Sequence, residues 1–126
     1  MRELLIKQGE RTALIEFIET TNSISIVGKS VPEDPKSFWN PILEWVNEYI
    51  ETNPQNVVLR FDLEYFNTSS SKYILEFFRL FNNYVKLSSN SVKVEWYYEE
   101  DDDDMYDAGL DYSSILKYLP FNHIKT

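Results

Sequence analysis

The segment spanning residues 57–65 alternates between strongly apolar and mostly polar side chains, and this pattern constrains the fold more than any other feature. The apolar positions are Val57, Leu59, Phe61, Leu63 and Tyr65, and the intervening positions are Val58, Arg60, Asp62 and Glu64. Because successive side chains of a strand point to opposite faces, the pattern predicts a sheet with one buried face and one partly solvated face. A sheet covered on both faces more often has continuous apolar runs.

The rest of the chain divides into further strands and helices by its periodicity. The predicted strands cover residues 12–19, 23–27, 57–65 and 92–98, and the predicted helices carry apolar stripes over 38–49, 74–85 and 105–119. Gly28 is expected to end the second strand, and Pro120 to close the last helix. Asp34 and Pro35 suit the start of the first helix. Pro41 implies either a helix that begins there or a kink.

The order β-β-α-β-α-β-α predicts an α/β fold with a single domain over residues 1–126. Strands joined through a helix pair in parallel, whereas the first two strands form a hairpin. We therefore expect a mixed β-sheet of about four strands with helices mainly on one face.

The charge is strongly negative and concentrated in one run. The 126 residues carry 12 basic and 21 acidic side chains, a net charge of −9. Six acids are consecutive, from Glu99 to Asp104. The rest of the chain has 15 acidic and 12 basic residues, a net charge of −3. Repulsion from phosphates argues against nucleic acid or an anionic membrane as a partner. The chain has no cysteine, signal peptide or long apolar run, which predicts a cytoplasmic protein.

A hydroxyl cluster, Thr68, Ser69, Ser70 and Ser71, lies between a predicted strand and a predicted helix. Such residues, together with Asn67, commonly cap helices by accepting hydrogen bonds from free N–H groups. The alternative is a phosphorylation site, since a phosphate is stabilised at the positive end of a helix. Lys72, in the first turn, supplies a counter-charge.

The acidic run Glu99, Glu100, Asp101, Asp102, Asp103 and Asp104 has two interpretations. Clustered carboxylates suit calcium or magnesium, but the run lacks the spacing of a calcium loop. A solvated, acidic helix start is the preferred interpretation, because acids stabilise helix N-termini. We predict no metal site and no cofactor. A receiver-like domain phosphorylated on aspartate remains an alternative, although its acids usually follow the first strand.

Two further residues carry weaker signals. Trp39 is placed off the apolar stripe of its helix, so it is expected to be exposed and available to a partner. His123, the only histidine, has no Ser or Cys motif around it and is expected to be structural. With no phosphate-binding glycine motif either, we predict a binding protein and not an enzyme.

Several segments carry motifs that recur together in one known family. They are Gly28-Lys29-Ser30-Val31-Pro32-Glu33-Asp34, Tyr65-Phe66-Asn67-Thr68-Ser69-Ser70-Ser71-Lys72, Trp96-Tyr97-Tyr98-Glu99-Glu100-Asp101-Asp102 and Leu119-Pro120-Phe121. Through them, the chain resembles the SiaC family of bacterial regulatory phosphoproteins from about Thr12 to Phe121. It departs from the family at Thr21-Asn22, where members commonly have Gly, and at Val31 and Asp34, where Tyr and Asn are common.

The resemblance implies a STAS-like fold and a partner-switching role in cyclic di-GMP signalling. It implies that a serine/threonine protein kinase modifies the chain and that a PP2C-type phosphatase restores it. The unmodified form is expected to bind and activate an effector, a diguanylate cyclase. Thr68 matches the family's phospho-acceptor. We also expect Val31, Pro32, Glu33, Asp34, Trp39 and the acidic run to contact partners.

Overall fold

The computed structural model describes all residues, 1–126, as one sheet with three α-helices. The strands are β1 (Leu5–Ile6), β2 (Leu14–Ile18), β3 (Ser23–Ser30), β4 (Val57–Phe66), β5 (Val92–Tyr98) and β6 (Phe121–Lys125). The helices are α1 (Pro35–Glu51), α2 (Thr68–Ser88) and α3 (Asp103–Ile115). The α/β class and the mixed sheet are confirmed, but the sheet has six strands where about four were expected.

The strands lie side by side in chain order, from β1 at one edge to β6 at the other. The pairs β1–β2 and β2–β3 are antiparallel, and the pairs β3–β4, β4–β5 and β5–β6 are parallel. Each parallel pair is joined through one helix, as right-handed crossovers require. The carboxyl ends of β3, β4 and β5 therefore meet at one edge of the sheet.

All three helices cover the same face of the sheet. Phe17 of β2 contacts Trp45 of α1, with ring centroids 4.8 Å apart. Phe61 of β4 contacts Phe78 of α2 at 4.6 Å, and Trp96 contacts Tyr112 of α3 at 5.6 Å. The alternation in β4 is confirmed from Val57 to Leu63: Val57, Leu59, Phe61 and Leu63 are buried. It is wrong at Tyr65, which is 58% exposed, because the register with β3 shifts just before it. On the opposite face, Asp62, Glu64 and Lys93 are exposed.

Two short edge strands have no counterpart in the sequence prediction. The N-terminal β1 has two residues, and β6 follows Pro120 directly. The last helix ends at Ile115, so the expectation that Pro120 closes it is wrong. Leu116 and Leu119 are buried, but they lie in the connection to β6 and not in the helix.

Gly28 does not end its strand, because β3 continues to Ser30. Gly28 adopts a φ of 118°, and the register shifts between Gly28 and Lys29. This backbone conformation favours glycine, which accounts for the residue at an irregular point of the strand. In the β2–β3 turn, Asn22 adopts a left-handed φ of 50°. Asparagine tolerates this conformation better than most residues other than glycine, so the turn can form without a glycine.

The first helix begins at Pro35 and contains Pro41 within it, so of the two alternatives at Pro41, a helix that begins there is wrong. Asp34 caps it as predicted. Trp39 is fully buried, and the expectation that it is exposed to a partner is also wrong. Trp39 lies three residues before Ile42 and seven before Val46, so the three share the buried face. None of the helices has the length and apolar content of a membrane span.

Candidate functional site

The structure brings three predicted segments to the same edge of the sheet. The loop 31–34 follows β3, the hydroxyl cluster follows β4, and the acidic run follows β5. Because β3, β4 and β5 are parallel neighbours, their carboxyl ends lie side by side. Loops that a rigid scaffold holds side by side often carry binding residues.

Thr68 is the first residue of α2, and it is exposed. The helix is capped by Asn67, whose Oδ1 accepts a hydrogen bond from the Ser70 amide at 2.9 Å. The Asn67 carbonyl accepts the Ser71 amide at 3.0 Å. The Thr68 hydroxyl makes no hydrogen bond within the chain. Thr68 is therefore not the cap, and its hydroxyl is open to modification.

The other three hydroxyls of the cluster differ in their access to solvent. Ser70 is fully buried, and its Oγ donates to the Ser30 carbonyl at 2.8 Å. The Ser71 Oγ donates to the Thr68 carbonyl at 2.6 Å within the same helix. Ser69 is exposed, as is Lys72 one turn after Thr68. Thr68 and Ser69 are thus the two residues of the cluster with an exposed, unbonded hydroxyl.

The loop 31–34 connects β3 to the capped start of α1. The Asp34 carboxylate accepts hydrogen bonds from the Ser37 amide at 3.2 Å and the Ser37 hydroxyl at 2.6 Å. These bonds to Ser37 lower the pKa of Asp34 below its ordinary value. Val31 is half-buried and Pro32 is buried. Glu33 is exposed and is the free charge that this loop presents to solvent.

The acidic run forms the approach to α3 and its first turn. Asp102 caps the helix, with its Oδ1 3.0 Å from the Met105 amide. Asp103 and Asp104 begin the helix, where the helix dipole favours carboxylates. The predicted acidic helix start is confirmed. Nowhere in the chain do three or more acidic or histidine side chains gather as metal ligands would.

A shallow groove runs along α3 beside the hydroxyl cluster, and the sequence interpretation missed it. It joins two cavities of about 290 and 270 Å³ that share Phe66 and Ala108. Its lining residues are Glu64, Tyr65, Phe66, Ser71, Asp102, Asp104, Met105, Ala108, Asp111, Tyr112 and Ile115. Apolar side chains dominate its floor, and four carboxylates stand along it. We call this feature the α3 groove.

Tyr112 joins the α3 groove to the start of α2. Its hydroxyl donates a hydrogen bond to the Ser71 carbonyl at 2.9 Å. Burial raises the pKa of Tyr112 well above its ordinary value, so the phenol stays protonated and remains a donor. The wall of the groove is therefore attached to the same helical turn that carries Thr68.

His123 and Trp39 lie outside the α3 groove. The His123 ring stacks near Phe121 and meets the edge of Tyr106, with centroids 6.1 and 5.9 Å away. Burial lowers the pKa of His123, and its Nδ1 is buried without a hydrogen-bond partner. The indole nitrogen of Trp39 is likewise buried and unpaired. His123 packs among aromatic rings, as its structural interpretation predicts.

Comparison with known proteins assigns the chain to one protein family. The family model of SiaC family regulatory phosphoproteins matches residues 6–126. SiaC of Pseudomonas aeruginosa has 21% identity and a TM-score of 0.89 over 100% of both chains. A complex of the diguanylate cyclase SiaD with its activator SiaC, from the same organism, gives 21% identity and a TM-score of 0.88. That match covers 98% of this chain and 99% of the other. No curated protein sequence matches the chain.

Proposed function

Because this chain belongs to the SiaC family of regulatory phosphoproteins, we propose that it is a phosphorylation-controlled, partner-switching activator and not an enzyme. In its unmodified form it binds and activates a diguanylate cyclase in the cytoplasm. A serine/threonine kinase phosphorylates Thr68 and releases the effector, and a PP2C-type phosphatase restores the binding form. Support for this effector class comes from the similar SiaC of Pseudomonas aeruginosa, which is the activator of the diguanylate cyclase SiaD.

The observation that carries the proposal is the position of Thr68. Its exposed, unbonded hydroxyl stands at the positive end of a helix of 21 residues. A phosphate there gains from the helix dipole and from Lys72, one turn away. The Thr68 hydroxyl makes none of the cap bonds of α2, and a phosphate on it can itself accept bonds from the first-turn amides, so the fold can accept the modification without losing α2.

The α3 groove is the surface that we assign to the effector. Two apolar side chains at the groove are widely exposed, Tyr65 at 58% and Ile115 at 53%. Burying them against a partner would stabilise a complex. A phosphate on Thr68 adds about −1.5 to −2 charges and a tightly held water shell near the groove. Partner binding must then remove water from that charge, which is how phosphorylation opposes it.

We predict that the cognate kinase modifies Thr68 and not Ser70 or Ser71. The reason is access, because Ser70 is fully buried and the Ser71 hydroxyl is bonded within the helix. The measurement is phosphopeptide mapping by mass spectrometry after kinase treatment. Thr68→Ala is the test variant, and Ser69→Ala is the matched control at the neighbouring exposed hydroxyl. Phosphate found on Ser69, Ser70 or Ser71 in the wild-type chain would contradict the assignment.

We predict that the acidic run speeds encounter with a partner that has a basic surface. Exposed Asp101, Asp103 and Asp104 form a negative field, which acts at a distance and is screened by salt over about 8 Å at physiological ionic strength. Changing Asp101 to Asp104 into Asn should slow association and leave dissociation nearly unchanged. The α3 cap should survive, because asparagine caps helices as well as aspartate does.

Stopped-flow binding at low and high salt measures this effect. The difference between the variant and the wild type should shrink as salt rises. Equal association rates at low salt would exclude steering by the acidic run.

A further inference from the structure

Two buried serines connect the turn that carries Thr68 to the neighbouring loop. Three polar residues are fully buried in the whole chain, Ser23, Ser30 and Ser70. The Ser30 hydroxyl donates to the Ser70 hydroxyl at 2.9 Å, and the Ser70 hydroxyl donates to the Ser30 carbonyl at 2.8 Å. The Ser30–Ser70 pair therefore satisfies its own hydrogen bonds away from water.

The Ser30 carbonyl also holds the cap of α2. It accepts a second hydrogen bond, from the Asn67 amide, at 3.2 Å. Asn67 in turn accepts the Ser70 amide through its side chain. The last residue of β3 and the first turn of α2 are thus joined by bonds that share the same atoms. A displacement of Asn67 or Ser70 must move or break the bonds at Ser30.

Ser30 is one residue away from the loop 31–34. The next amide along the chain, that of Val31, donates to the Arg11 carbonyl at 2.8 Å. The backbone at residues 30 and 31 is therefore held between the α2 cap on one side and residue 11 on the other. From this fixed point the loop runs to Asp34, the cap of α1.

A phosphate on Thr68 would compete for the same first-turn amides. Its oxygens are strong acceptors placed beside the N–H groups at the start of α2. The Ser70 amide, now bound to the Asn67 side chain, lies two residues away in that turn. If the phosphate takes this bond, Asn67 and Ser70 shift, and with them the Ser30 carbonyl.

We propose that Ser30 and Ser70 are positioning residues that transmit phosphorylation of Thr68 to the loop 31–34. The inference rests on the proposed function in taking Thr68 as the acceptor. It adds this loop to the regulated surface, so that phosphorylation changes the surface that a partner contacts on both sides of Thr68. On one side is the α3 groove, and on the other is the loop with its exposed Glu33.

The test places phosphothreonine at position 68 during synthesis and compares amide NMR spectra with and without it. In the otherwise wild-type chain, the amides of Val31, Glu33 and Asp34 should shift along with those of residues 67–72. In the Ser70→Ala chain, the shifts of the loop should be clearly smaller, because only the bond from the Asn67 amide to the Ser30 carbonyl remains. The shifts of residues 67–72 should persist.

Ser71→Ala is the matched control. It removes a hydroxyl from the same turn, but one that bonds only to the Thr68 carbonyl. Its loop shifts should equal those of the wild type. The single variant leaves the buried Ser30 hydroxyl without its acceptor. The double variant Ser30→Ala/Ser70→Ala removes both hydroxyls together, so it should fold even if the single variant does not. It too should show a reduced loop shift.

Two outcomes would overturn the inference. One is a wild-type chain whose loop amides stay unmoved by phosphothreonine. The other is a Ser70→Ala or double variant whose loop shifts match those of Ser71→Ala. Neither measurement uses the kinase or the effector, so the result is independent of the proposed cycle. If the loop does not respond to phosphothreonine but phosphorylation still weakens effector binding, this inference is rejected and the proposed function stands.

Discussion

Phosphorylation of Thr68 is expected to weaken binding of the proposed effector, a diguanylate cyclase, by about 5- to 150-fold, the usual range for coupling between two sites. The physical cause is a hydrated, doubly charged group at the edge of the apolar α3 groove. Thr68→Asp should weaken binding less, because one carboxylate is a poor copy of a phosphate. Calorimetric titration of the effector with each form measures the effect.

Thr68→Ala is the locked form for this experiment. It should keep the affinity of the unmodified chain even after kinase treatment. It should also fold without losing a cap, because Asn67 caps α2 and alanine is a good helix former. Equal affinities for the phosphorylated, Asp and Ala forms would show that the switch does not act through this residue.

Replacing Gly109 with alanine is expected to lower the free energy of unfolding by about 1–3 kcal/mol, the typical cost of overpacking a core. A Cβ atom at Gly109 would lie 2.5 Å from Cδ1 and 2.7 Å from Nε1 of Trp96. The indole cannot easily move, because its Nε1 donates to the Met105 carbonyl at 2.9 Å. Its ring is also stacked on Phe61, with centroids 5.8 Å apart.

The direction of this effect distinguishes packing from helix propensity. Propensity alone would make alanine about 1 kcal/mol more favourable than glycine inside a helix. Ser114→Ala, at an exposed position of the same helix, is the control and should change stability by a few tenths of a kcal/mol at most. Urea unfolding followed by tryptophan fluorescence gives both values. A more stable Gly109→Ala variant would contradict the packing argument.

The features that the sequence predicted well are those with a local physical cause. The alternation in β4 from Val57 to Leu63 reflects one buried sheet face, whereas Tyr65 lies beyond a register shift that the pattern does not show. The start of α1 follows from an Asp-Pro pair whose capping chemistry is local. The edge strands carry no such signal, because β1 is too short to show a pattern. Strand β6 is defined by its pairing with β5, which no local property of residues 121–125 specifies.

The helical period places two buried residues whose burial the sequence interpretation did not recognise. Ser70 lies four residues before Ile74 and seven before Phe77, so it falls on the buried stripe of α2. The same spacing relates Trp39 to the buried residues of α1. Helical periodicity by itself therefore separates Ser70 from Thr68 and Ser69. The α3 groove could not be found in this way, since its walls come from β4, α2 and α3.

The strand order of the sheet, which repeats the order of the chain, bears on how the protein is made. As the polypeptide leaves the ribosome, each new strand can pair with the one made just before it, and none has to insert between two earlier strands. No connection is longer than residues 31–56, between β3 and β4, and the entropy lost in closing a loop grows only slowly with its length. The turn bearing Thr68 can thus pack against Ser30 before β5 and β6 have been synthesised, and β6 is added last at an open edge.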